Sequence, residues 1–276
     1  MAGIENAPQH PRLVIEGKTK RVWWSSTQGE VLIESKDDIT AGDGARRDSI
    51  LGKAELATET TTNCFELLER AGIPTHFRGR HDATTFRADE VTMIPIELVT
   101  RRIAFGSYLK RNPDQEPRST FDAVEFEMFA KDDANHDPLL AFADGNVFQY
   151  RADSPVSPDT LIDVSPSQDS KFGLSPERIA TLKELAVDTF EVLEAAWKDQ
   201  AVALVDMKIE CGITLDGRIV VADVVDNDSW RIWPGGDPSQ MVDKQLYRDG
   251  QSLDYVADKY AWVATATGQF NEGAAS

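Results

Sequence analysis

Ala203-Leu204-Val205-Asp206-Met207-Lys208-Ile209-Glu210 runs on to Asp216-Gly217 and then to Arg218-Ile219-Val220-Val221-Ala222-Asp223, and this stretch decides the fold. Its alternation has a period of two. In a strand that places Asp206, Lys208 and Glu210 on one face and Val205, Met207 and Ile209 on the other. Asp216-Gly217 is a two-residue hairpin signal. With a turn of that length Leu215 pairs with Arg218, facing positions sum to 433, and Glu210 lies opposite Asp223, the side chains roughly 5 Å apart. Two directly opposed acids repel unless a cation lies between them, and Mg2+ takes its oxygens from one or two carboxylates plus phosphates. Lys208, on the same face, suits a phosphate oxygen as a point charge. The plainer reading is a solvated hairpin face with alternating charges. Asp226, Asp228 and Arg231 follow among Trp230 and Trp233, either a binding loop or a surface loop anchored by buried tryptophans.

Around this hairpin the chain mixes elements without strict alternation, which predicts an α+β fold rather than a doubly wound sheet. Strands are expected at Leu13–Ile15, Lys20–Ser25 and Val31–Ser35, with Gln28-Gly29 as a turn. A helix follows from about Ser49 to Ala71, stopped by Gly72. Further strands lie near Thr75–Phe77, Thr84–Arg87 and Met93–Ile103. Residues 138–176, rich in Pro, Ser and Asp and containing Asp144-Gly145, read as a long irregular excursion. Ser175-Pro176-Glu177 opens a helix as cap, N1 proline and first-turn acid. Ile179, Leu182, Leu185, Ala186, Phe190, Leu193 and Trp197 give it a core-facing stripe. Gly268–Ser276 reads as a frayed tail.

The 276 residues carry a formal net charge of −18. Such acidity repels nucleic acid and anionic lipid, so neither is an expected partner. No apolar run reaches the roughly 20 residues of a membrane span. Met1–Pro11 has no secretory pattern, and a cytoplasmic location is expected. Cys64 and Cys211 are too few for a disulfide scaffold and are read as inert thiols. If the substrates are anionic, the 29 Lys and Arg residues must concentrate where they bind.

Several segments carry such charge. Gly17-Lys18-Thr19-Lys20-Arg21 fails the Walker A pattern, because Arg12 stands where its first glycine belongs. A glycine turn with lysines can still cover phosphates from a hairpin, and an exposed basic turn is the equal alternative. Asp37–Gly44 sets Asp43 between Gly42 and Gly44, where glycine amides can form an anion-binding concavity. Arg101–Arg111 joins a strand end to a Gly106-Ser107 turn and a helix start, which suits a phosphomonoester. Lys131–Pro138 is a dense polar turn. The four histidines are scattered, with no zinc motif, and there is no Gly-x-Ser-x-Gly elbow.

Taken in order, Glu16–Val22, Ser35–Ala45, Ala71-Gly72-Ile73, Met93–Glu97, Arg101–Pro113, Lys131–Pro138, Leu204–Gly212, Ala222–Pro234 and Asp243–Asp249 resemble the SAICAR synthase family, particularly the synthase half of the animal bifunctional purine enzyme. The resemblance implies a two-lobed α+β fold, with a mainly β lobe over 1–97, a substrate and metal lobe over 98–276, and an ATP cleft between them. It implies an ATP-dependent ligase that phosphorylates an imidazole ribonucleotide carboxylate and joins it to L-aspartate, positioning and charge neutralisation being its means. By position, Lys18, Lys20 and Met93 would bind ATP, and Glu210 and Asp223 would hold Mg2+. Arg101, Ser107 and Arg231 would grip the ribose phosphate. Lys131 and Lys208 would stabilise the transferring phosphoryl group, and Asp206 would orient the imidazole. Asp43 and Arg248 would serve the aspartate or imidazole end. A homo-oligomer is left open. Phe105 departs from the Ala or Thr usual beside the phosphate turn, and residues 139–176 do not match. These two departures motivate an alternative, a sister ligase acting on a related heterocycle or another amine.

Overall fold

The described residues form two large antiparallel sheets that share one apolar core, with a separate two-stranded ribbon beside them. The computed structural model describes residues 12–41, 46–167 and 171–274. The first sheet is built from β1 (Leu13–Glu16), β2 (Lys20–Trp24) and β3 (Glu30–Ser35), the last of which buries alternate residues such as Val31 and Ile33. A short ribbon, β4 (Asp38–Ala41) with β5 (Arg46–Ser49), leads into helix α1 (Lys53–Arg70). After the helix come β6 (Phe77–Arg80) and β7 (Thr85–Asp89), completing the order β1-β2-β3-β7-β6.

The expected start of α1 at Ser49 is corrected to Lys53, because Ser49 is still paired with Asp38 in the ribbon. Gly52 enters the helix at φ 84°, and the Asp37 carboxylate accepts from the Ala54 amide at 2.9 Å in place of a local cap. The Gly72 stop holds. Its amide donates to the Glu69 carbonyl and that of Ile73 to Leu68, both at 3.0 Å, the paired bonds of a Schellman ending.

The second sheet begins with β8 (Val91–Ile103), α2 (Ser107–Arg111) and β9 (Thr120–Ala130). β10 (Leu139–Ala143), β11 (Asn146–Tyr150) and β12 (Leu161–Pro166) extend it outward. Residues 138–176 are therefore not the irregular excursion their composition suggested. Asp144 and Gly145 both take positive φ, 50° and 73°, and turn a tight hairpin in which Ala143 faces Asn146.

Helix α3 (Pro176–Asp199) then crosses the sheet, capped as expected by the Ser175 hydroxyl, which accepts from the Arg178 amide. Leu182, Leu185, Phe190, Leu193 and Trp197 are buried against Ile96, Leu98, Met207 and Ile209, each fully buried large side chain being worth about 1.5–3 kcal/mol. β13 (Val202–Thr214) is the central strand. β14 (Ile219–Ala222) and β15 (Trp230–Pro234) share its outer edge, one on each half, and 223–229 leave the sheet between them. Helices α4 (Gln245–Arg248) and α5 (Leu253–Gly268) close the chain, with α5 against α1.

The core joins Ile33 and Phe86 of the first sheet to Leu98 and Met207 of the second and to Trp197 of α3. Strand β8 runs unbroken through 97 and 98, and the change of sheet falls between Asp89 and Val91. With α3 covering one face of the large sheet, the other is left for chemistry.

Candidate active site

Three strands present that free face in register. Asp206 of β13 pairs with Arg101 of β8 on one side and Arg231 of β15 on the other. Two residues along, Lys208 pairs with Val99, and then Glu210 with Glu97. Period-two alternation thus delivers Asp206, Lys208 and Glu210 together, as the sequence predicts. Met93 lies beyond them opposite Gly212, and 39% of it is exposed.

The hairpin register is corrected by one. Glu210 pairs with Ala222, and facing positions sum to 432 (210 with 222, 213 with 219). The cause is Gly217 at φ 87°, which adds a third loop residue: the Thr214 amide donates to the Arg218 carbonyl at 2.9 Å, and Gly217 donates to Thr214. A continued strand would turn Asp223 away from Glu210. Asp223 instead adopts φ 67°, breaking the alternation, and its charge still reaches Glu210. Buried His76 fixes this corner, its Nε2–H donating to the Asp223 carbonyl at 3.0 Å. Burial holds that imidazole neutral, its pKa lowered to about 4.

Two lysines neutralise the two acids. Lys131, just past β9, donates to both Glu210 oxygens at 2.8 and 2.7 Å, and Lys20 of β2 is ion-paired with Asp223. Burial and the Asp223 charge push the Glu210 carboxyl above its usual range, against Lys131. Burial acts on Asp223 in the same sense, but Lys20 outweighs it and holds that carboxyl low. Lys20 is itself raised, burial being overcome by Asp223. Lys18 reaches Asp133 at 3.0 Å, so Lys18 and Lys20 both cross from the first sheet to acids in the loops beside the second.

At the other end Arg101, Ser107, Lys208, Arg231 and Arg248 line a cavity of about 170 Å3. Asp206 is the hub there, its Oδ2 accepting from Arg101 Nη1 at 2.7 Å and from Arg231 Nη1. Ser107 opens α2, and Arg248 ends α4 at the exposed rim. Gly106 is required between them. It takes φ 62°, and a Cβ on it would meet the Arg231 guanidinium at 3.0 Å. Phe105 packs edge-on against Trp233, ring centroids 5.1 Å apart, with the Arg231 guanidinium 5.7 Å above its ring. Its bulk supports an arginine from beneath. Asp43 lies outside the described residues.

Sequence reasoning missed several groups. Glu97 accepts from Lys208 at 2.6 Å and is the acid that pairs directly opposite Glu210, on the neighbouring strand. Asp228, which the sequence left as either a binding-loop or a surface-loop acid, accepts from Lys244 at 2.6 Å and the Tyr260 hydroxyl at 2.8 Å. Burial would raise Asp228, but Lys244 and Lys53 bring it to about 2. Buried Asp243 accepts from the Ile232 and Gln245 amides, tying the strand of Arg231 to the helix of Arg248. The expected basic concentration is present, and Lys18, Lys20, Lys131, Lys208, Arg101 and Arg231 are each matched to a carboxylate.

Two carboxylates, four lysines and a cavity with two buried or half-buried arginines can hold a polyphosphate beside a phosphorylated acid substrate. The family model described as SAICAR synthetase matches residues 13–265. The chain belongs to the SAICAR synthetase family. A phosphoribosylaminoimidazole-succinocarboxamide synthase of Chloroflexus aurantiacus is 43% identical over 95% of this chain and 98% of its own length. The Drosophila melanogaster bifunctional phosphoribosylaminoimidazole carboxylase/phosphoribosylaminoimidazole succinocarboxamide synthetase is 41% identical over 92% of this chain, which spans 56% of that protein. Among solved structures, a SAICAR synthetase in complex with ADP superimposes with a TM-score of 0.76 at 26% identity, over 94% of this chain and 98% of that one. The α+β architecture is thus that of the SAICAR synthetase family. Among the described residues no helix is long and apolar enough to cross a membrane.

Proposed function

We propose that the chain is an ATP-dependent carboxylate–amine ligase of purine biosynthesis, joining L-aspartate to 5-aminoimidazole-4-carboxylate ribonucleotide (CAIR) to give SAICAR, ADP and phosphate. The observation that carries this is a continuous charged surface along one face of the large sheet, with Glu210 held in an acid–lysine corner with Asp223, Lys20 and Lys131 at one end and the Arg101–Asp206–Arg231 cavity at the other. In this reading the two sheets are the walls of the nucleotide cleft, and 1–97 and 98–276 approximate its two lobes. Lys18 and Lys20 meet ATP phosphates and Met93 lines the adenine end. Arg101, Ser107 and Arg231 grip the ribose phosphate. Asp206 joins Arg101 and Arg231 through one oxygen and faces the imidazole, while Asp43 and Arg248 serve the amino acid side. A cytoplasmic location accords with the free, buried Cys64 and Cys211.

A carboxylate is a poor electrophile. Transfer of the γ-phosphoryl group to it creates a leaving group, and the aspartate amine then displaces phosphate. Lys131 and Lys208 stand where negative charge accumulates on the transferring group, and they act by position rather than by covalent chemistry.

Glu210 and Asp223 fit Mg2+. They supply hard oxygen ligands, and Glu210 is made costly to ionise by burial and by Asp223, a burden that a cation would lift. Among the described residues no group of three or more His, Cys, Asp or Glu gathers to hold a metal, so phosphate oxygens and water would complete its shell. When bound, the ion would neutralise phosphate charge.

The test is product mass spectrometry with ATP, Mg2+, CAIR and aspartate, omitting each in turn. SAICAR only in the complete mixture is expected. Nucleotide binding without SAICAR would overturn the assignment and return attention to the sister ligase.

A further inference from the structure

One cavity arginine, Arg101, is held from behind by a carboxylate that does not line the cavity. Glu127 of β9, its side chain 12% exposed, accepts from Arg101 Nε at 2.8 Å. The same carboxylate takes Arg111 Nε at 3.0 Å and Nη2 at 2.6 and 2.7 Å. Arg111 ends α2, the helix that Ser107 begins, and its Nη1 donates to the Ala152 carbonyl at 2.6 Å. A continuous ladder therefore runs Arg231–Asp206–Arg101–Glu127–Arg111, with Arg101 and Arg111 almost fully buried. With Nε given to Glu127 and Nη1 to Asp206, Arg101 Nη2 has no hydrogen-bond partner among the described residues.

We propose that Glu127 is the positioning residue of the phosphate pocket: it locks Arg101 in the orientation that offers Nη2 to a phosphomonoester and fastens α2, with Ser107, to the same frame. The inference rests on the reading of this cavity as a ribose-phosphate site. A guanidinium on a long stem loses rotamer freedom on binding unless something already holds it, and prior fixation is what preorganisation supplies. Through Arg111 and Ala152 the ladder also explains a use for part of 139–176: the backbone between β11 and β12 braces α2. Charge alone argues for the opposite behaviour. Removing an anion from a cluster of three arginines and two acids raises its positive charge, which would tighten phosphate binding. Positioning and electrostatics thus differ in sign.

The experiment compares wild type, Glu127→Gln and Arg111→Lys by calorimetric binding of CAIR and of ADP, with turnover and thermal unfolding alongside. Glu127→Gln should weaken CAIR about tenfold or more and change ADP less than twofold. Arg111→Lys, which keeps the charge and the Glu127–Arg101 bond but loses the guanidinium fork, should shift CAIR in the same direction by less, and it serves if Glu127→Gln fails to fold. Unchanged or tightened CAIR binding, or equal losses for CAIR and ADP, would overturn the proposal. A wild type that forms SAICAR while both variants bind CAIR normally refutes the ladder and keeps the ligase. A wild type with ladder-dependent CAIR binding but no SAICAR keeps the ladder and refutes the ligase. A wild type that binds no CAIR overturns both.

Discussion

Glu210 is the residue whose environment makes least sense without a ligand. It is 8% exposed, faces Glu97 across the strands, feels Asp223, and relies on half-exposed Lys131 for its countercharge. If it holds Mg2+, Glu210→Gln should lower turnover by at least the roughly 100-fold that disturbing a metal site's ligand environment can cause. The magnesium midpoint should rise with it and the fold should persist, since the glutamine removes a buried charge of nearly the same shape. A magnesium titration superimposable on wild type would take Glu210 out of the metal site. At this scale the sequence was informative in one direction. Alternation placed Asp206, Lys208 and Glu210 on one face because the period of a strand is fixed. Glu97, Glu127 and His76 escaped it because their partners are remote in sequence: Glu97 meets Lys208 across 111 residues.

Among the elements, the β13–β14 hairpin shows how a local signal can be right in kind and wrong by one residue. Asp216-Gly217 does turn the chain, but Gly217 in the left-handed region makes the loop three residues long and shifts every facing pair. The positive φ of Asp223 then returns the acid to the site, and nothing in its own identity announces that. Asp144-Gly145 was an equally good hairpin signal, flanked by Leu139–Ala143 and Asn146–Tyr150; the exposed faces and Pro-rich flanks of the region concealed it. The joint between β15 and α4 is testable through its titration. Burial raises the Asp243 carboxyl to about 6, against hydrogen bonds from Gln245 and Ile232. A group raised in the fold contributes stability that is full below its unfolded value and lost as pH rises through the folded one. From pH 7 to pH 5 the wild type should therefore gain about 1 kcal/mol relative to Asp243→Asn in denaturant unfolding. Parallel pH slopes for the two proteins would contradict the buried acid.

The whole molecule separates stability from chemistry by face. Helix α3 and the shared core hold one side of the large sheet, and the charged rows occupy the other. The fold class was legible from the mixed element order. The extent of the outer sheet was not, since β12 exposes Leu161, Ile162 and Val164 and so lacks the one-face burial that makes a strand readable. Phe105, which raised the case for a sister ligase, is accounted for by its packing under Arg231. An acidic protein that binds anionic substrates needs its positive charge gathered, and the paired lysines and arginines of the cleft supply it without leaving bare charges beneath the surface.

The central claim is that this face activates a carboxylate with ATP, and oxygen transfer tests it most directly. CAIR labelled with 18O in both carboxylate oxygens should give inorganic phosphate carrying one 18O atom and SAICAR retaining the other in its new amide. SAICAR formed with both labels absent from phosphate would contradict phosphorylation of the carboxylate and the roles assigned here to Lys131, Lys208, Glu210 and Asp223.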